Sequence, residues 1–434
     1  MRILICSLNY APEPTGTGKY SGEMAAWLGA QGHDVEVVCG LPHYPQWQVD
    51  PAYADGRARV ESVAGVRVQR APHYVPAAAQ LTAKARIRLE TTFTLSAARF
   101  WLPRFFLRVR PDVVIAVTPP MQIGVWPLVF RWLRGVPWVL HVQDLQVDAA
   151  VRLNMLPGAL GRLLYRVEAF LLARATRVST ITEAMRRRVV QKGTPDARTW
   201  LLPNWADVKG IRPGARDNAF RTEFGIGSDT ILVLYAGNMG EKQGLDLVLD
   251  AAQKLGARAN LLFLMVGDGA ARPRLEKRAH EQGLPNVRFL PLQPLERLPL
   301  MLAAGDIHLV VQKAEAADLV MPSKLTNILA AGRPCVATAS PGTALHQVVA
   351  ECGTGLVCAP EDLDAFTSAL TTLADDPELR QRLGASARTY AEQHLDQDII
   401  LKDFEQRLLS LCAAAAQPTT AKVHPLKVKD QEIE

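Results

Sequence analysis

Two lysines in glycine-bearing segments are the residues of this chain best suited to hold phosphate. Lys324 stands in Met321-Pro322-Ser323-Lys324-Leu325-Thr326-Asn327, which runs on into Ala331-Gly332-Arg333-Pro334-Cys335-Val336-Ala337-Thr338. The pattern predicts a loop, a short helix over Lys324–Ala331 with Ser323 as its cap and Gly332 as its stop, then a buried strand. A helix N-terminus offers unpaired N–H groups and partial positive charge, so phosphate oxygens are stabilised there, and Lys324 adds an ammonium. For Ser323 alone, an ordinary helix cap is the plainer reading. Lys242 lies in Tyr235-Ala236-Gly237-Asn238-Met239-Gly240-Glu241-Lys242-Gln243-Gly244, a glycine-flanked loop after a strand-like run. An isolated lysine is usually a solvated surface residue; the presence of both segments in the same half of the chain favours an anion site over that reading.

A second set lies in the first half. Gly16-Thr17-Gly18-Lys19 follows the first apolar run, but Glu13 stands where a P-loop needs its first glycine and Tyr20 follows Lys19 in place of Ser or Thr. Ser21 takes the third glycine place of the dinucleotide fingerprint, so the segment reads as a tight turn or a close backbone approach. His141-Val142-Gln143-Asp144 ends another apolar run. Strand alternation puts His141 and Gln143 on one face and Asp144 on the other. Asp144 there either orients and deprotonates a hydroxyl or caps the following loop.

These residues need a scaffold, and the apolar runs supply one. Strands are predicted at Ile3–Leu8, Val35–Cys39, Val66–Gln69, Val113–Val117, Trp138–Val142 and Val178–Thr182, with helices at Tyr20–Gln31 and Ala184–Gln191. After a polar stretch from Lys209 to Ser228 a second series begins. Its strands are Ile231–Ala236, Leu261–Val266, Val287–Leu290, Ile307–Val311, Cys335–Thr338 and Leu356–Cys358. Helices at Leu245–Leu255, Arg272–Gln282, Lys324–Ala331 and Leu363–Leu373 separate them. This alternation is the mark of α/β units with a parallel sheet, whose functional groups gather at the carboxyl ends of the strands. Long helices at Pro377–His394 and Ile399–Ala414 close the chain's ordered part. From Gln417 the sequence is polar and without period, the composition of a flexible tail.

At 434 residues the chain has room for two domains, and 48% hydrophobic with 21% charged residues describes a packed globular protein. Residues 1–208 carry 25 Lys and Arg against 15 Asp and Glu, a net +10; the remainder carries 24 against 28, a net −4. One half therefore suits an anionic partner. No helix-turn-helix, zinc finger or RRM signature accompanies the charge, so no nucleic-acid partner is expected. Leu81 to Arg110 interleaves Lys84, Arg86, Arg88, Arg99, Arg104, Arg108 and Arg110 with Phe93, Phe100, Trp101, Phe105 and Phe106. That pattern fits a helix in a bilayer interface, or equally a soluble helix with its aromatics in the core. Val113–Phe130 is uncharged, but Pro119, Pro120 and Pro127 make it strand, loop and buried helix, and no membrane span is expected. The six cysteines show no Cys-x-x-Cys spacing, so buried reduced thiols are expected, with neither a metal site nor a redox motif.

The loop before Lys242, Val266-Gly267-Asp268-Gly269 with Arg274-Leu275-Glu276, Leu202-Pro203-Asn204 with Asp207, and the Ala331–Thr338 run together resemble retaining glycosyltransferases of family 4, from Met1 to about Ala414. Asn9–Tyr20 and Pro42-His43-Tyr44-Pro45-Gln46-Trp47 are similar to the colanic-acid-biosynthesis subfamily, thought to add a fucose-like deoxysugar. The resemblance implies the GT-B fold, two doubly wound Rossmann-like domains facing across a cleft. The acceptor domain would be 1–208, the nucleotide-sugar domain 209–395, and 396–416 a helix returning to the first domain, with 417–434 the tail. It implies a sugar transferase moving a hexose or deoxyhexose, fucose among them, from a nucleoside-diphosphate sugar to a lipid-linked saccharide at the cytoplasmic face of the inner membrane. Retention points to a front-face reaction in which the departing phosphate takes the hydroxyl proton. No cofactor or metal is implied, because Lys242, Lys324 and a helix N-terminus would neutralise the leaving diphosphate.

By the same resemblance Gly16, Gly18, Lys19, Asn238, Lys242, Gly267, Ser323, Lys324 and Asn327 would face the donor. Glu13, His141 and Asp144 would lie on the acceptor side. Asn238 replaces an Arg usual in the family, and Asn327 replaces the second Glu of a Glu-x7-Glu motif that holds the ribose. The first Glu falls on Leu319, leaving Asp318, or Glu315, to contact the transferred sugar. Asp144, Asp318, Lys242 and Lys324 are thus the candidate catalytic set. Missing glutamates also leave open a nucleotide-sugar-binding protein without transfer, and the shared fold leaves open a nucleotide-sugar epimerase.

Overall fold

The computed structural model describes residues 1–14, 16–77, 82–145, 158–314 and 322–416. Asp318, Glu315 and the segment from 417 onward lie outside the described residues.

The first sheet has eight strands: β1 (Arg2–Ser7), β2 (Asp34–Gly40), β3 (Arg59–Val63), β4 (Val66–Ala71), β5 (Val113–Thr118), β6 (Trp138–Val142), β7 (Arg177–Thr180) and β8 (Thr199–Leu201). Their order is β3-β4-β2-β1-β5-β6-β7-β8, parallel apart from the β3–β4 hairpin. Ala64 and Gly65 both take positive φ in that hairpin's turn, the geometry that matches strand twist. The central strands are near-continuous apolar runs because helices cover both faces. On one face Phe93, Trp101, Phe130 and Leu172 pack over the sheet, from helices Ala83–Arg104, Val125–Arg134 and Gly158–Arg174. On the other, helix Gly16–Ala30 lies beside helix Gln397–Ala416, whose Leu401, Phe404 and Leu408 are buried with Ile5 and Leu28.

The second sheet runs β11-β10-β9-β12-β13-β14, all parallel, from β9 (Ile231–Ala236), β10 (Leu261–Val266), β11 (Val287–Leu290), β12 (Ile307–Val310), β13 (Cys335–Thr338) and β14 (Gly355–Cys358). The chain passes between the sheets twice. Asp306, at the foot of β12, accepts from Arg221 and Arg216 and from the Leu232 N–H, which ties the outgoing linker to the second sheet. The return is marked by the bridge between Ala206 and Asp396, where the Ala206 N–H donates to the Leu395 carbonyl at 2.8 Å.

The Leu81–Arg110 pattern resolves as a helix whose Phe93 and Trp101 are core, with Phe100 and Phe105 packed against them; only Phe106 faces solvent. The Val113–Phe130 run is strand, turn and the start of a helix. Among the described residues no helix is long and apolar enough to cross a membrane. All six cysteines are free thiols, and Cys6, Cys39, Cys335 and Cys358 are buried.

Candidate active site

The carboxyl ends of both sheets meet in one cleft, and the second sheet contributes a floor of glycines. At the end of β9, Gly237 takes φ +143, and at the end of β10, Gly267 takes φ +138; a Cβ on Gly267 would come within 2.0 Å of the Gly237 carbonyl oxygen. Only glycine fits where two strand ends cross so closely. Gly237 leaves room for Lys324, whose Nζ would stand 3.2 Å from a Cβ placed there.

Lys324 is the unusual group of the site. Its Nζ is buried without a hydrogen-bond partner and lies 3.6 Å from the centre of the Tyr235 ring. Burial pulls its pKa down from 10.5 to about 7. A buried ammonium without a carboxylate is costly and stands ready for an incoming anion. It sits in the first turn of helix Ser323–Ala330. That helix corrects the capping expectation: Ser323 is its first helical residue, exposed, and the N-cap is Pro322, which has no side chain to donate or accept. The Leu325 N–H donates to the Pro322 carbonyl at 3.0 Å, so of the first-turn N–H groups those of Ser323 and Lys324 are the ones suited to a ligand.

The first domain brings a second helix start to the same place. Gly16, Thr17 and Gly18, expected as a loop, form the opening turn of helix Gly16–Ala30. Gly16 takes φ +61, and a Cβ on Gly18 would meet Glu13 Oε2 at 2.6 Å. Gly18 thus serves close packing on Glu13. The buried Tyr20 hydroxyl, without a hydrogen bond of good geometry, comes up to Thr326 across the cleft. Lys19 points along its helix, 3.8 Å from Glu23 and 4.9 Å from the Tyr20 ring centre.

Lys242 sits in a single turn, Glu241–Gln243, bounded by Gly240 and Gly244, and is exposed. Its carbonyl accepts from the Lys313 N–H at 3.0 Å, and the Lys313 stem fills the space a Gly244 Cβ would take. Asn238 is exposed, and its carbonyl accepts from the Tyr235 hydroxyl at 2.5 Å. Asn327 Oδ1 and Gln312 Nε2 are buried without partners, on the helix of Lys324 and just beyond β12.

Opposite them stands Asp144, one oxygen of which is buried and unpartnered. Burial raises its pKa to about 6, against the lowering fields of Lys242 and Arg86. A carboxylate of one domain thus senses an ammonium of the other. Arg86, on the first turn of helix Ala83–Arg104, stands 5.6 Å from the Trp47 ring centre. One turn on, burial pushes the Glu90 carboxyl up to about 7, against the lowering influence of the nearby Gln122 side chain and Arg86.

Two acceptor-side candidates, Glu13 and His141, already have partners within the protein. Glu13 accepts from the His43 and Tyr44 N–H groups, both at 3.0 Å, and from Asn9 Nδ2 at 2.9 Å. It is 4% exposed and anchors the His43–Trp47 loop. His141 is buried with Nδ1 at 2.9 Å from Ser179 Oγ and Nε2 at 2.8 Å from Gln143 Nε2. Burial holds its pKa down at about 4, so it is neutral and both nitrogens are engaged. The site residues that sequence reasoning missed are Tyr20, Arg86, Glu90, Gln312 and Lys313. Arg86 and Glu90 carried a signal, the four-residue spacing of one helix face.

The chain's relatives fit this geometry. Residues 15–205 match the family description "Glycosyl transferase 4-like domain" and residues 217–390 match "Glycosyl transferases group 1". WcaI of Escherichia coli (strain K12), assigned provisionally as a colanic acid biosynthesis glycosyl transferase, is 38% identical over 415 residues, spanning 93% of this chain and 98% of that one. WbjE of Pseudomonas aeruginosa, a probable glycosyltransferase by its own name, is 29% identical over 68% of this chain and 74% of its own. Among solved structures, sucrose-phosphate synthase of Thermosynechococcus elongatus superposes with a TM-score of 0.75 at 18% identity, over 95% of this chain and all of that one. HepE of Anabaena, solved with UDP-glucose, gives 0.69 at 16% identity, over 94% and 99%. Two parallel-sheet domains, a cleft lined by glycines and cations, and these matches along nearly its whole length place the chain in family 4 of the glycosyltransferases, with the GT-B fold.

Proposed function

We propose that this glycosyltransferase moves a hexose or deoxyhexose from a nucleoside-diphosphate sugar to a lipid-linked saccharide in cell-surface or extracellular polysaccharide biosynthesis, with retention at the anomeric carbon. The observation that carries the donor side is Lys324: a buried ammonium with no anion, at the start of a helix and over a glycine floor. A diphosphate supplies the missing charge and accepts from the free N–H groups. Lys242 approaches from the cleft's rim, so negative charge developing on the departing phosphate meets two cations. The bond from the anomeric carbon to the diphosphate breaks while the acceptor oxygen bonds to that carbon on the same face. The hydroxyl proton passes to the departing phosphate oxygen, and Asp144 orients the hydroxyl. Asn327 Oδ1, buried and unpartnered, suits a ribose hydroxyl in place of the family's glutamate. The likeness to WcaI supports the polysaccharide setting, and the resemblance carried by Asn9–Tyr20 and Pro42–Trp47 puts fucose first among the sugars to try.

The test is a thermal-shift panel of GDP-, UDP-, ADP- and dTDP-sugars on the wild type and on Lys324→Ala, followed by mass-spectrometric detection of transferred sugar. Saturating donor at a hundredfold excess over Kd stabilises the fold by about 2.7 kcal/mol. One nucleotide should shift the wild type and lose its effect in the variant. Binding without transfer to any lipid-linked acceptor would favour a non-catalytic binding protein, and donor conversion without acceptor an epimerase.

A further inference from the structure

One flank of the first domain is dressed in a way the donor and acceptor chemistry does not use. The three helices Ala83–Arg104, Val125–Arg134 and Gly158–Arg174 bury one stripe each on the sheet, yet their outer faces are apolar too. Phe106 is 86% exposed and Trp132 83%, and Leu95, Leu133, Leu163 and Phe170 join them. Isolated exposed leucines mean little, but large aromatics at full exposure are rare on a monomer's surface. Phe106 is not on a slack loop. Arg134 donates to the Phe105 carbonyl through Nη1 and to the Leu107 carbonyl through Nη2, both at 2.7 Å, and the Phe105 and Phe130 rings pack 5.5 Å apart. The backbone on both sides of Phe106 is thereby pinned to the helix that carries Trp132, with its side chain turned outward.

Among the described residues, the exposed charge on these three helices and the Phe105–Arg110 segment has one sign. Arg99, Arg108, Arg162, Arg166 and Arg174 are exposed. Across residues 91–111, 125–137 and 161–175 the sequence holds a single acidic residue, Glu168, and it is buried against Lys192. Aromatic and aliphatic side chains among arginines, without carboxylates, complement a surface that is apolar beneath and anionic above. A second copy of the chain would set arginines against arginines, which disfavours a self-pairing interface. An anionic bilayer meets both demands: rings settle at the headgroup level and guanidiniums reach lipid phosphates.

We infer that this three-helix flank, centred on Phe106 and Trp132, is a docking face for an anionic phospholipid bilayer. Helix Ala83–Arg104 connects it to the cleft, for its opening turn carries Arg86 beside Trp47 and its far end leads into Phe106. A membrane lying along the flank therefore reaches the rim of the acceptor side, where a lipid-linked sugar would enter. The inference rests on the lipid-linked reading of the acceptor, but vesicle binding is measured without donor or acceptor, so either can fail alone.

The experiment is flotation of the full chain with vesicles of phosphatidylethanolamine and phosphatidylglycerol, and with vesicles of phosphatidylcholine only. The wild type should float with the anionic vesicles, remain below the neutral ones, and be released by salt. Phe106→Ser with Trp132→Ser should lower the partition coefficient on the order of tenfold or more, and so should Arg108→Gln with Arg166→Gln. All four sites are exposed, so unchanged melting temperatures would show that the variants fold. Failure of the wild type to float, or equal flotation of the variants, would overturn the assignment. Self-association abolished by Phe106→Ser with Trp132→Ser, in a wild type that ignores vesicles, would make the flank a protein interface instead.

Discussion

Replacing Lys324 by Met should make the empty protein more stable and the enzyme inert. The methionine keeps the unbranched stem and removes the buried charge. A lysine held near 7 where 10.5 is usual stands for a ceiling of about 5 kcal/mol below pH 7, at about 1.4 kcal/mol per pH unit. The Tyr235 ring at 3.6 Å returns up to roughly 2 kcal/mol of this when desolvated. The expected gain on substitution at pH 6 is therefore about 1–3 kcal/mol by urea unfolding. The sign with pH follows from proton linkage. Between about 7 and 10.5 the unfolded chain holds a proton that the native lysine has released, so wild-type stability rises with pH through that window. The variant lacks this rise, and its advantage shrinks above pH 7. Nucleotide affinity should fall on the order of a hundredfold, the worth of charge-assisted bonds in a buried site. A Lys324→Met protein that is less stable than wild type at pH 6, or that binds the nucleotide normally, would refute the view of Lys324 as an ammonium kept waiting for a diphosphate.

The same two groups shape the pH profile of donor and acceptor use. Transfer should fall below about pH 6 as Asp144 takes up a proton, and donor affinity should weaken above about pH 7 as the empty-site Lys324 loses one; Lys242→Ala should move the acid limb upward, because Lys242 holds the Asp144 carboxyl down. Gly267→Ala puts a Cβ 2.0 Å from the Gly237 carbonyl oxygen at φ +138, and thermal unfolding should report a loss of about 2–4 kcal/mol. Asn327→Ala should raise the donor KM about tenfold, one hydrogen bond to a buried group, while leaving acceptor KM unchanged. An unchanged donor KM would remove Asn327 from the ribose site.

What the sequence made legible was the part governed by short-range periodicity. Apolar runs between glycines and prolines located the twelve strands that were read, because strands of a parallel sheet covered on both faces are near-continuously apolar. The two strands missed, β3 and β8, lie at sheet edges, where Arg59-Val60-Glu61-Ser62-Val63 carries little apolar signal. The glycines and lysines proposed for the donor side stood out in the sequence because phosphate chemistry constrains local residue types. The partners of Glu13 and His141 were not legible, because polarity at a strand end says nothing about whether a neighbouring N–H or side chain has already claimed the group. Arg86 was hidden for the opposite reason: its partners Trp47 and Asp144 lie 39 and 58 positions away. Only the fold sorts one helix into a stripe for the core, a cleft-facing start and an outward end.

Helix Gln397–Ala416 leaves the second domain and completes the hydrophobic interior of the first, with Asp398 accepting from the Trp27 indole at 2.8 Å and Glu405 meeting His33 at 2.6 Å. During synthesis the first domain must therefore wait. Its eight strands emerge from the ribosome some two hundred residues before the helix that covers them, an interval of roughly 10–40 s at ordinary elongation rates. Throughout that interval the surface that Leu401, Phe404 and Leu408 will cover stays open to water, while the second domain, whose core needs nothing beyond residue 395, can close by itself. The domain made first is thus finished last, and a nascent chain of this protein offers chaperones a binding surface until its final helix docks.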